Sequence, residues 1–185
     1  MTKRRYPVAV GMMALLAWSL AFEMMRADSF RASCVKVEIT PEEPQWMHTF
    51  AKRMTTGVLD PLFHRVVVMH DGNTEFVLIS SDLIGFTAAY YDRFCERLRE
   101  TTGISSEQVW WTFTHTHSSP SMDRSGVSSQ LKSERDFSAE NTQYMEIVQS
   151  RLLEAIRQAR STLEPARLGI GQGKSLANYN RRSRD

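Results

Sequence analysis

The run RVVVMHDGNTEFVLIS, residues 65–80, decides the fold class. Two apolar, largely β-branched segments, Arg65–Met69 and Phe76–Ser80, flank His70-Asp71-Gly72-Asn73. Asp-Gly between two such segments is a strong hairpin signal, because glycine supplies the positive φ that a tight turn needs. The second segment is continuously apolar rather than alternating, which predicts a strand covered on both faces.

Upstream, residues 33–40 alternate through Cys34, Val35, Lys36, Val37, Glu38 and Ile39, which predicts a half-exposed strand closed by Thr40-Pro41. Residues 41–57 read as a loop. Downstream, Thr87 is placed to cap a helix over Ala88–Glu100 with Tyr91, Phe94, Cys95 and Leu98 on one stripe, and Gly103 is placed to stop it. A strand is expected over Gln108–Thr114. The polar stretch Ser118–Ser138 is too long for a simple connector and reads as a functional or mobile loop. A second helix is expected over Ala139–Ser161, capped by Ser138, with Tyr144, Ile147, Val148, Leu152, Ala155, Ile156 and Ala159 at helical spacing. Pro165 marks its end, and a short strand is expected over Arg167–Gly171. Strands interleaved with helices predict an α/β fold, a mixed sheet layered with helices.

At 185 residues the chain can form one domain or the first portion of a larger one. Hydrophobic residues at 42% and charged residues at 24% exclude wholesale disorder. The 23 basic and 21 acidic residues leave a net charge of +2, gathered nowhere except at the chain ends, which gives no support to a nucleic-acid partner. Cys34 and Cys95 fit no C-x-x-C ligand spacing, and the sequence leaves open whether they pair or stand as separate buried thiols.

The N-terminus has the layout of an export signal. Lys3, Arg4 and Arg5 precede an uncharged apolar run, Tyr6 to Phe22, and Ser19-Leu20-Ala21 offers small residues for cleavage after Ala21. The alternative is an uncleaved anchor in which residues 6–22 associate with the membrane, at the lower edge of spanning length. Either way, residues 1–32 are set apart from a folded portion over 33–185, and the protein is expected to be exported or membrane-anchored.

The candidate chemistry sits at Thr114-His115-Thr116-His117. At the end of a strand, a period of two would turn both imidazoles to one face, where they could grip one metal ion. Zinc favours neutral imidazole, and a catalytic zinc keeps a water whose pKa it lowers towards ~7. Two histidines on a strand also occur as hydrogen-bonded structural residues. The polar Ser/Pro loop that follows, with hydroxyls at Thr114, Thr116, Ser118 and Ser119, favours the metal reading. A metallo-β-lactamase pattern is excluded by Ser119 and Pro120, which occupy the places of its further ligands. The amidohydrolase barrels place such a pair at the end of their first strand, whereas here several strands precede it.

Five landmarks in order make the resemblance specific: Gly57-Val58-Leu59-Asp60-Pro61-Leu62, the hairpin, Ser81-Asp82-Leu83-Ile84-Gly85, Thr114-His115-Thr116-His117-Ser118, and Asn178-Tyr179-Asn180-Arg181-Arg182. Together with Val35-Glu38-Ile39-Thr40-Pro41 they resemble the N-terminal domain of the neutral/alkaline non-lysosomal ceramidases, over residues 33 to 182. The resemblance implies a zinc-dependent hydrolase of fatty-acyl amides with a ceramide-like lipid as substrate. It implies that His115 is a zinc ligand, that His117 stands beside the scissile amide as a proton-transfer group, and that Arg181 contacts the reacting region. A guanidinium at Arg181 suits an oxyanion developing on a substrate carbonyl; the other reading is a solvated basic tail of Arg181, Arg182 and Arg184. The chain departs from the family's S-G-P at Ser118-Ser119-Pro120. The resemblance also implies that the remaining ligands lie downstream of Arg181, so that the domain is incomplete here. His48, His64 and His70 are expected to be ordinary surface or core residues.

Overall fold

The computed structural model describes residues 30–47, 53–122 and 141–175, together with Ala177. Its elements run β1 (Arg31–Glu38), β2 (Phe63–His70), β3 (Glu75–Ser81), α1 (Ala88–Thr102), a 3-10 turn (Ser106–Gln108), β4 (Val109–Phe113), α2 (Thr142–Ser161) and β5 (Glu164–Pro165). The strands form one mixed sheet in the order β4-β3-β2-β1-β5. β1, β2 and β3 are antiparallel neighbours, β5 pairs antiparallel with β1, and β3 and β4 run parallel. The α/β class follows, as the alternation of elements predicts.

The β2–β3 hairpin forms where Asp-Gly places it. Asp71 Oδ1 accepts from the backbone N–H groups of Asn73 and Thr74, and Gly72 takes φ 100°, which a Cβ would oppose. The α1 boundaries also match their signals. Thr87 Oγ1 accepts from Tyr90 N–H at 3.3 Å, and Gly103 ends the helix in the left-handed conformation with its N–H on Arg99 O. The buried stripe is Tyr90, Phe94, Cys95 and Leu98, so Tyr90 takes the inward place that the sequence assigned to half-buried Tyr91.

Both helices lie on one face of the sheet. Phe94 and Leu98 of α1 and Tyr144, Val148, Leu152 and Ile156 of α2 pack with Val35, Val66, Val68, Val77, Ile79, Val109 and Trp111 into a single core. β3 therefore alternates, with Val77, Ile79 and Ser81 buried and Leu78 and Ser80 half-buried, instead of being covered on both faces. The register explains this: inward Val66 stands between Val35 and Ile79, and outward Val67 between Cys34 and Leu78. Trp110, on the outward side of β4 opposite Leu78, is 62% exposed. Cys34 is exposed on that outer face and Cys95 is buried in the core, so the two thiols are free and separated by the sheet.

The last strand differs from expectation. Pairing with β1 occurs at Glu164–Pro165, opposite Arg31 and Ala32, and residues 167–171 form no strand. The α2 C-terminus delivers the chain directly to the β1 edge, and the short ladder ends where β1 begins. β1 itself starts at Arg31 rather than Ser33, because Arg31 and Ala32 find partners on both sides in β2 and β5. α2 is described from Thr142 with Asn141 before it; Ser138, expected as the cap, lies outside the described residues. Among the described residues no helix is long and apolar enough to cross a membrane, and residues 1–29, which carry the expected leader or anchor, lie outside them.

Candidate metal and catalytic site

Because β3 and β4 are parallel, the loops that follow them leave from the same edge of the sheet, the geometry in which α/β proteins commonly build sites. The first loop runs 82–87 and the second 114–122. Asp82 fixes the start of the first: its Oδ2 accepts from Phe63 N–H at 3.0 Å and from Arg65 at 2.9 Å, while its own N–H donates to Phe63 O. Phe86 then wedges among Tyr90, Trp111 and Phe113, with ring centroids 4.5–4.6 Å apart. Gly85 between them adopts φ 124°, a conformation that L side chains rarely take, with Phe113 Cδ2 at 3.8 Å from where a Cβ would stand. Gly85→Ala is expected to destabilise the chain by about 1–3 kcal/mol through backbone strain alone. Chemical denaturation of the two proteins measures it.

The second loop carries the histidine pair. Thr114 N–H still donates to Ser81 O, extending the ladder by one bond, and His115 then takes φ 57°. A non-glycine residue in the left-handed region costs about 1 kcal/mol or more, and such residues gather at functional sites. β4 ends at Phe113, so the pair lies in the loop after the strand and its arrangement is not set by the period of two along a strand. The imidazoles of His115 and His117 lie 5.4 Å apart, centroid to centroid, at 89°. Both residues are exposed.

His115 is oriented from behind. Its Nδ1–H donates to Ile84 O at 2.6 Å, since a carbonyl can only accept. That bond fixes the tautomer and leaves Nε2 with its lone pair, the arrangement in which metal-ligating histidines are held. Ile84 is anchored in turn, its N–H donating to the buried hydroxyl of Ser119 at 3.1 Å, and Ser119 Oγ donates to Thr116 O at 3.3 Å. The far end of the loop is clamped by buried Asn141, whose Nδ2 donates to Ser121 O and Trp46 O and whose Oδ1 accepts from Trp46 N–H. Met47 and Pro120 form an isolated bridge beside it. The loop is thus held at both ends, which suits a site better than a connector.

The donor set fits one position of a zinc shell. His115 offers a suitably oriented imidazole and His117 stands beside it, but among the described residues no group of three or more His, Cys, Asp or Glu could hold a metal ion. Arg181 and the rest of 178–185 lie outside the described residues. Of the other histidines, His64 is buried in the core and His70 Nδ1 accepts from Gly72 N–H in the hairpin turn, both structural, while His48 lies outside the described residues. The sequence marked Ser119 only as one of several hydroxyls beside the histidines, and it gave Ile84 and Gly85 no role beyond a place in a landmark. Gly85, four residues beyond the end of an apolar strand, was the available signal.

The scaffold is a mixed α/β sheet that presents a histidine pair at the carboxyl ends of two parallel strands. Its fold is that of a portion of the neutral ceramidases. Neutral ceramidase from Pseudomonas aeruginosa superposes with a TM-score of 0.59 and 20% identity over 74% of this chain. A ceramidase complexed with C2 superposes with a TM-score of 0.57 and 21% identity over 74% of the chain. The chain spans 22% of the length of each of these proteins. No family model and no curated protein matches the sequence. The five-stranded mixed sheet also disposes of the barrel alternative.

Proposed function

We propose that this chain carries part of a zinc-dependent amidase site of the ceramidase type, which acts on the fatty-acyl amide of a ceramide-like lipid. One observation carries the reading: His115 sits in a left-handed backbone conformation with Nδ1–H committed to Ile84 O and Nε2 facing away from that bond. Zinc, when bound, would supply a polarised, readily ionised water as nucleophile. His115 would be one of its ligands. His117, 5.4 Å away ring to ring, is the candidate to hold or move a proton at the amide, and Arg181 is the candidate partner for the developing oxyanion. The likeness in fold to the ceramidases supports the substrate class, and the leader-like layout of residues 1–22 supports export or membrane anchoring.

The proposed role of the chain is partial. A zinc-bound nucleophile needs a closed ligand set, and misplacement by ~1 Å is costly. His115 is the one ligand this reading assigns, and among the described residues it is joined by no group of three or more His, Cys, Asp or Glu that could hold the ion. The purified 185-residue chain, dialysed against zinc and then against buffer, is expected to retain zinc that a chelator strips, and to release fatty acid from a fluorescent ceramide far more slowly than ~1 per second, the low end of ordinary turnover. Retention of no zinc would overturn the metal reading. Turnover at an ordinary enzymatic rate would overturn the partial one.

A further inference from the structure

We infer that Ser119 is a positioning residue that sets the orientation and tautomer of His115 by way of the Ile84 backbone. The inference rests on the reading of His115 as a metal ligand. Ser119 is 0% exposed, and its one hydroxyl is used in both directions. As acceptor it takes the Ile84 N–H at 3.1 Å, and as donor it reaches Thr116 O at 3.3 Å. The first bond ties it to the residue whose carbonyl receives His115 Nδ1–H at 2.6 Å. The second ties it to the peptide that joins Thr116 to His117. One buried side chain therefore links the loop after β3 to the backbone between the two histidines.

The geometry makes a bare packing role insufficient. Ile84 lies in a segment whose next residue, Gly85, has φ 124°, so the direction of the Ile84 carbonyl is not fixed by regular secondary structure. Hydrogen bonds at its N–H and at its carbonyl hold it instead. Without the Ser119 hydroxyl, a buried N–H loses its partner, which costs about 1–3 kcal/mol and favours rotation of the segment. The Ile84 carbonyl would then leave His115 Nδ1, and the imidazole would be released to place its proton on either nitrogen.

Nitrogen NMR of the neutral imidazole in the metal-free chain tests the inference directly. Wild type is expected to hold the proton on Nδ1 of His115. Ser119→Ala is expected to move it towards Nε2 and to weaken zinc binding by about 10-fold or more, the scale of losses at groups that support a metal ligand. Ser119→Thr, which keeps the hydroxyl, should restore both readouts; if the alanine chain does not fold, Ser119→Gly is read in its place. An unchanged tautomer with zinc affinity within about twofold of wild type, even if the melting temperature falls, would reduce Ser119 to a packing residue and overturn the inference. The metal reading fails separately, if His115→Ala binds zinc as tightly as wild type. The tautomer measurement, made without metal, still decides the role of Ser119 in that case.

Discussion

Lowering the pH from about 6.5 to about 4 is expected to take about 3 kcal/mol from the stability of the fold through His64 alone. This side chain is fully buried on the inner face of β2, and burial pulls its pKa from 6.5 down to about 4, against smaller opposing effects of the Val148 carbonyl and the Asp82 charge. The neutral form is wired in. Trp111 Nε1–H can only donate, so Ser81 Oγ accepts from it at 2.7 Å and donates its own proton to His64 Nδ1 at 2.6 Å. His64 Nε2–H then donates to Val148 O of α2 at 3.1 Å. Protonation at Nδ1 would force the Ser81 hydroxyl to turn its own hydrogen away from His64 and lose that acceptor.

The sign follows from which state binds the proton first. The unfolded chain takes it near 6.5 and the folded chain only near 4, so stability is whole above 6.5, falls as pH drops through that window, and levels off below it. At about 1.4 kcal/mol per pH unit, the window amounts to the stated ~3 kcal/mol. Urea denaturation at several pH values measures the slope, and His64→Gln is the control, since an amide can accept from Ser81 and donate to Val148 O without titrating. The variant is expected to flatten the slope between these limits. Equal slopes in both proteins would show that His64 has no such linkage.

The depth of this network separates what could be read in the sequence from what could not. The hairpin was legible because Asp71, Gly72 and Asn73 specify their turn locally, and α1 because Thr87 and Gly103 act within a few residues of its ends. The site was legible as a motif, at the end of the strand where the apolar run stops. Its geometry was not. The period of two assumes that β4 continues through His117, whereas the strand ends at Phe113 and His115 takes a left-handed backbone conformation. The bond that orients His115 comes from Ile84, 31 residues earlier, and no local pattern encodes it. The strand expected over Arg167–Gly171 failed for a related reason: the pairing with β1 falls at Glu164–Pro165, where α2 delivers the chain, while Leu168 and Ile170 stand exposed.

Replacement of His115 by alanine is expected to lower zinc affinity by at least about 100-fold, measured by competition with a chromophoric chelator. The bound is conservative, because loss of a group that merely supports a metal ligand already costs about 10–100-fold and here the ligand itself would be removed. The pre-set tautomer sharpens the expectation. With Nδ1–H held by Ile84 O, the ring of the neutral imidazole is already turned to offer Nε2, so its deletion removes a prepared donor rather than a chance one. His117→Ala is expected to lower affinity by less, because the proposed role of His117 is to hold or move a proton beside the metal and not to ligate it. The left-handed backbone at His115 adds a further readout: a residue that keeps strain of about 1–3 kcal/mol for function should stabilise the metal-free chain when it is exchanged for glycine. His115→Gly is therefore expected to melt no lower than wild type while it loses zinc as His115→Ala does. A glycine variant that kept wild-type affinity would mean that the metal is held elsewhere, and a glycine variant that melted markedly lower would mean that His115 serves the fold and not the site.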